Sequence, residues 1–314
     1  TRQDCDRLAE ELCQKMNHWL NSAADGFEDI RHKLAAQFQH PNIRFLVETK
    51  DSQLQRLPWH LWSICQHSKI EVTLSPRQYP QIATQSWGKS IRILAILGNS
   101  QGINIQTDKS HLQEMAKSWS DSCFLEQPSR SELEEKLRDN EGWDILFFAG
   151  HSKSSCSGEH GKIYINTNES LSLEELQNAF STAIRSRLKL AIFNSCDGLG
   201  LANELLKLNI PQTIVMREAI PDEVAHLFLS FFLEAFGSSQ PVYQAVRVAR
   251  ERLERLEDKL PYATWLPIIH QHPGAKNWSI EPEPTKKRLK PTKLYLLLFS
   301  ILGLMVLSIA IFRY

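Results

Sequence analysis

His151 and Cys196 are the residues of this chain whose types and spacing point most directly to chemistry. The first closes the apolar run Trp143-Asp144-Ile145-Leu146-Phe147-Phe148-Ala149-Gly150-His151. The second closes Leu188-Lys189-Leu190-Ala191-Ile192-Phe193-Asn194-Ser195-Cys196, followed by Asp197 and Gly198. Continuous apolar runs bounded by turn residues read as buried parallel strands. In open α/β sheets, ligands collect just beyond the carboxyl ends of the strands. With both runs in one sheet, the imidazole and the thiol emerge on the same edge, as a Cys–His pair able to activate a nucleophile. Small-residue turns after each run let backbone N–H groups converge, as an oxyanion hole requires. A helix after Cys196 aims its N-terminus near the thiol and lowers its pKa. Taken singly, each residue has a plainer reading, a buried inert thiol and a hydrogen-bonded strand-end histidine.

Three rivals compete with this pair. Ser195 lacks the Gly-x-Ser-x-Gly surround of a hydrolase elbow, and strand alternation aims it away from Cys196. His151, Cys156, His160 and Cys196 offer a metal-ligand set, but their spacing matches no common zinc pattern, and no metal or other cofactor is expected. Gly88-Lys89-Ser90 resembles the end of a phosphate loop, yet the upstream Gly is missing and a strand follows rather than a helix. Gly98-Asn99-Ser100 makes another turn on the active edge, so Asn99 is a candidate for a substrate pocket. Asp197, Glu218 and Asp222 could each attract a basic side chain there, with helix capping the plainer role of Asp222.

The elements that must position these residues alternate strand and helix from Ile91 onward. Strands are expected over 91–97, near Phe124, and over 145–149, 188–196, 213–216 and 265–269. Helices are expected over 110–118, 199–208, 222–236 and 242–256. Ser129-x-x-Glu132 and Ser172-x-x-Glu175 are capping boxes that open two more. Residues 152–161, small and Gly/Ser-rich, read as a mobile loop. Upstream, Leu8, Leu12, Met16 and Leu20 give a helical stripe, 42–49 and 70–74 read as strands, and 57–62 as a short helix begun by Pro58. This alternation implies a mostly parallel sheet with helices on both faces.

Formal net charge is zero, so nothing global favours nucleic acid as a partner. Six cysteines without a repeated spacing do not make a secreted disulfide framework, and most are expected to be buried, in a reducing compartment. The chain opens on Thr, as a processed form or a segment would, and no signal peptide is read at its start. The C-terminus differs. Residues 294–312 are almost wholly apolar and at helical rise span roughly 28 Å, close to a bilayer's hydrocarbon core. Lys286, Lys287, Arg288, Lys290 and Lys293 flank them on one side and Arg313 on the other. That asymmetry puts the preceding domain in the cytoplasm. The layout is a helical segment over 1–40, a main domain over 41–270, a proline- and lysine-rich juxtamembrane linker over 271–293 and a single transmembrane helix over 294–312.

Ile145-Leu146-Phe147-Phe148-Ala149-Gly150-His151 and Phe193-Asn194-Ser195-Cys196 resemble, in order and spacing, the His and Cys motifs of CHAT domains. These are caspase-like modules of the cysteine-protease clan that also holds caspases, separases and gingipains. Arg56-Leu57-Pro58-Trp59, and Val215-Met216-Arg217 before a buried helix, also resemble the family, over roughly residues 30 to 270. The resemblance implies a caspase-like three-layer α/β sandwich and endopeptidase chemistry on a protein or peptide substrate. Cys196 would attack the scissile carbonyl, His151 would act as general base and acid, and backbone N–H groups of Cys196 and of Gly150 or Ser152 would hold the oxyanion. Members often carry Gly after the His, where Ser152 stands here. Caspases proper use an Arg just past the first strand to bind Asp. Asn99 and Ser100 stand there in this chain, so strict Asp specificity is not expected. Cyanobacterial-type CHAT domains sit ahead of CHASE-type membrane sensor domains. That likeness implies bacterial signalling at the cytoplasmic membrane face, with a sensor domain beyond the chain end. The alternative is an inactive CHAT module that relays signals for a membrane sensor by binding partners.

Overall fold

β-Branched and aromatic runs build the sheet, and in the computed structural model they sit where the apolar pattern puts them. The described residues are 2–23, 27–38, 43–49, 51–68, 70–75, 90–154, 161–195, 201, 204–205 and 207–280. The strands are β1 (Phe45–Glu48), β2 (Val72–Ser75), β3 (Ile91–Leu97), β4 (Ser120–Glu126), β5 (Ile145–Ala149), β6 (Ser152–Ser154), β7 (Gly161–Tyr164), β8 (Ser170–Ser172), β9 (Leu190–Asn194), β10 (Gln212–Met216) and β11 (Pro267–Gln271). Eight of them form one sheet in the order β1-β2-β11-β10-β9-β5-β3-β4. Within it only the β10–β11 pair is antiparallel.

Alternation along each central strand splits its side chains between two cores. Leu94, Ile96, Leu146, Phe148, Ala191, Phe193 and Val215 pack with the N-terminal helix Arg2–Leu20 and with helices Arg130–Leu137 and Gln177–Ser186. Ile93, Ala95, Leu97, Ile145, Phe147, Ile192 and Ile214 pack with helices Ile105–Trp119, Asp222–Gly237 and Val242–Arg252. The result is three layers, helices–sheet–helices. Strands buried on both faces are what make their sequences read as unbroken apolar runs.

Most expected elements are present, with instructive differences. The helix expected over 110–118 begins at Ile105, because Asn104 Oδ1 accepts the Gln106 N–H at 3.2 Å and starts it a turn early. Ser129 and Glu132 form the expected reciprocal capping box. Ser172 and Glu175 make the same bonds, but they hold a turn and the helix starts only at Gln177. The loop expected over 152–161 is corrected at both ends. β6 pairs with β7, and β7 with β8, in a small antiparallel sheet. Its polar first strand carries no apolar alternation, so composition hid it. Ile163, Ile165 and Leu171 carry its burial instead. Asp222 is not the cap of its helix; Pro221 is, and Asp222 Oδ2 accepts the Asn104 N–H at 3.0 Å.

Of the cysteines among the described residues, only Cys65 is buried, while Cys5 is exposed and Cys13 and Cys123 are half-buried. The expectation of mostly buried thiols fails for these, since Cys5 and Cys13 lie on a helix with one buried stripe. No helix among the described residues is long and apolar enough to cross a membrane. Residues 294–312 lie outside the described residues.

Candidate active site

Sheet register brings the two motif ends together. Leu97 pairs with Ala149, and Ala149 with Asn194, so β3, β5 and β9 stop at one level. Gly98, Gly150 and Ser195 follow at that level, and next in the chain come Asn99, His151 and Cys196. Both apolar runs therefore lie in adjacent parallel strands, with Ser152 Oγ donating to Ser195 Oγ at 2.9 Å across the gap. Cys196 and Asp197 lie outside the described residues. So do Cys156 and His160, which leaves the metal alternative with one described member, His151.

The His151 loop is held by its backbone. Gly98 N–H donates to Ala149 O at 2.8 Å, His151 N–H to Asn99 O at 3.0 Å, Asn99 N–H to Tyr164 O at 2.9 Å and Tyr164 N–H to His151 O at 3.0 Å. This close approach demands glycine. A Cβ on Gly98 would lie 2.3 Å from Tyr164 O, and Gly150, at φ +153°, has backbone and ring atoms 3.2 Å from where its Cβ would be. Gly98→Ala is expected to destabilise the fold by about 1–3 kcal/mol and to cost activity beyond that, because it wedges the His151 loop away from β3. Urea unfolding with a parallel activity assay checks it; a variant as stable and active as the parent contradicts it.

His151 is half-buried. Its Nε2 lies 2.7 Å from the Gln101 carbonyl oxygen. A carbonyl only accepts, so Nε2 carries the proton and Nδ1 keeps the lone pair that a base needs. Asn99 sets this up: its Oδ1 accepts the Gln101 N–H at 3.0 Å, an Asx turn that presents the Gln101 carbonyl. Asn99, expected in a substrate pocket, thus holds the turn whose Gln101 carbonyl meets His151. Sequence reasoning missed Gln101, since a backbone carbonyl leaves no side-chain signature. Ser152 begins β6 and is not among the described residues with positive φ, so the backbone there does not require glycine.

Glu218 makes a 2.8 Å ion pair with Arg56, both half exposed. Its neighbour Arg217 is buried and reaches the Leu57 carbonyl, the Gln55 carbonyl at 3.3 Å and the Trp265 carbonyl at 3.1 Å. The Arg56–Trp59 and Val215–Arg217 motifs therefore meet in space. Burial draws the Arg217 guanidinium down to about 10, still charged at neutral pH.

Beside this edge lies a cavity of about 20 Å³ that reaches Gly150 and Ser195. Asp108 and Asn194 are buried in its wall, and Asn194 Nδ2 donates to Asp108 Oδ2 at 2.9 Å. Burial pushes the Asp108 carboxyl up from 3.8 to about 6; His226 and Asn194 oppose this, and Asp222 adds to it. A carboxyl with a raised folded pKa stabilises the fold while protonated, and that contribution is lost as pH rises through about 6. Asp108→Asn should therefore be more stable than the parent at neutral pH. The gap should close below about pH 4. Urea melts at both pH values check this, and an equal gap at both contradicts it.

A profile of the CHAT domain matches residues 14–279. No curated protein sequence matches this chain. Among solved structures, gingipain R, an Arg-specific cysteine proteinase, is similar at a TM-score of 0.52 and 6% identity, over 80% of this chain and 68% of that one. Separase of the Saccharomyces cerevisiae separase–securin complex gives 0.48 at 15% identity, over 73% of this chain. This chain spans only 16% of that separase. Caspase-1 from Spodoptera frugiperda gives 0.42 at 11% identity, over 65% of this chain and 97% of that one. At such identity the gingipain likeness speaks for a cysteine-peptidase-like fold. Since the profile covers most of its length, this chain belongs to the CHAT domain family.

Proposed function

We propose that this protein is a cysteine endopeptidase that hydrolyses peptide bonds with Cys196 as nucleophile and His151 as general base and acid. The observation that carries the reading is the His151 Nε2–Gln101 carbonyl bond, which commits one ring nitrogen and leaves Nδ1 to accept a proton. The register at Ala149 and Asn194 supports its pairing with the thiol that follows Ser195. In the reaction, Nδ1 takes the Sγ proton as sulfur adds to the scissile carbonyl. Backbone N–H groups of Cys196 and of Gly150 or Ser152 hold the oxyanion. His151 then returns the proton to the leaving amine, and water, deprotonated by the same nitrogen, hydrolyses the thioester. No metal or nucleotide takes part.

Residues 294–312 would anchor the domain, and their basic flank favours the cytoplasmic face of the membrane. A signalling role belongs to the same reading. The likeness to gingipain R, a cysteine proteinase, favours a protein substrate. Peptide-library hydrolysis by the full chain, against Cys196→Ala, tests the chemistry. Cleavage is expected only from the parent; equal cleavage by both chains contradicts it.

A further inference from the structure

The cavity beside the His151 edge holds unsatisfied acceptors that the dyad does not use. Asp108 is 3% exposed and Asn194 7% exposed. Oδ1 of each is buried and accepts no hydrogen bond among the described residues. Their other polar atoms are committed to one another, Asn194 Nδ2 to Asp108 Oδ2. His226 Nε2 lies 3.8 Å from Asp108 Oδ1, outside hydrogen-bond distance. Asp222 adds a second carboxylate to the same wall, and Ile105 and Ile220 give it apolar sides. Buried acceptors left without donors are costly, so an arrangement like this marks a place where a ligand brings donors.

The size and sign of the cavity select the ligand. About 20 Å³ admits one group of water size. A primary ammonium is that small, carries three donors and no acceptor, and arrives on an apolar methylene stem. A planar guanidinium, with five donors in a fixed fork, is too broad. We infer that the cavity lined by Asp108, Asn194 and Asp222 is the specificity subsite for a lysine side chain of the substrate. This rests on the peptidase reading for its place in a reaction, but its chemistry stands on the cavity itself. Gly150 and Ser195 line the same cavity, so an ammonium seated there holds its residue next to the dyad's chain positions.

The test separates binding from turnover. Binding of Ac-Ala-Ala-Lys-NH2, and of its norleucine and arginine counterparts, is measured by calorimetry on the full chain in mild detergent. The same titrations are run on Asp108→Asn. The lysine peptide should bind the parent about 10- to 100-fold more tightly than the norleucine peptide, and more tightly than the arginine peptide. Asp108→Asn should erase the preference over norleucine. Because the comparison of peptides on the parent needs no variant, misfolding of Asp108→Asn does not weaken the test. Equal affinity for lysine and norleucine, or no binding of any peptide, overturns the inference. Lysine-selective binding without hydrolysis would sink the peptidase reading and keep the subsite. Hydrolysis with no lysine preference would do the reverse.

Discussion

His151→Ala should lower peptide hydrolysis by about 10²- to 10⁴-fold, the usual contribution of a general base and acid. The loss should fall on kcat, because the proton moves in the transition state and the imidazole adds little to ground-state binding. The fold should barely notice. The side chain is half-buried, and its Nε2–Gln101 bond contributes about 1 kcal/mol. Asn99→Ala should reproduce part of the rate loss with His151 intact, since it removes the Asx turn that presents the Gln101 carbonyl. Rate profiles against pH for the parent and both variants check this. A His151→Ala chain within about threefold of the parent rate would contradict general-base catalysis by this residue.

Glu71→Ala should destabilise the domain by about 3–5 kcal/mol, the largest stability effect expected here. Arg250 donates to both Glu71 oxygens, Nη1 to Oε1 at 2.6 Å and Nη2 to Oε2 at 2.7 Å. The two side chains are only 9% and 1% exposed. Truncating the acid leaves a guanidinium buried against His60, which is itself held well below its ordinary pKa by burial and by Arg250 and Arg217. A domain stable by some 5–15 kcal/mol would lose a large fraction of its margin. Glu71→Met with Arg250→Met should recover most of it, because paired burial of charge is what makes the single change costly. Urea unfolding of the three chains decides, and a single variant within about 1 kcal/mol of the parent would be the contrary result.

The strands were the most legible part of the sequence. Ile91–Leu97 and Ile145–Ala149 have the expected bounds, because both faces of each are buried and nothing interrupts the apolar run. The sheet edge that carries His151 followed from those runs and their turn residues. Contacts between distant segments left no local trace. Asn194 meets Asp108 across 86 positions, and Arg250 meets Glu71 across 179. Neither pair has a periodicity or a motif to announce it. Polar strands were invisible for a different reason. Ser152–Ser154 pairs through its backbone, and the burial of that small sheet sits on its partner strands. Likewise the role of Asn99 turned on the Gln101 carbonyl, which is the same in every residue type.

Competitive alkylation with iodoacetamide at about pH 6, followed by mass spectrometry of each cysteine peptide, tests the Cys196–His151 dyad most directly. Cys5 is the exposed reference thiol. Cys65 should stay silent, since burial pushes its thiol up to about 12. A dyad thiolate should react about tenfold or more faster than Cys5 at that pH, where an ordinary thiol is almost wholly protonated. In His151→Ala that advantage should vanish while Cys5 labels as before. Cys196 reacting at the rate of Cys5 in both chains would contradict the dyad and leave this CHAT domain as a binding module without peptidase chemistry.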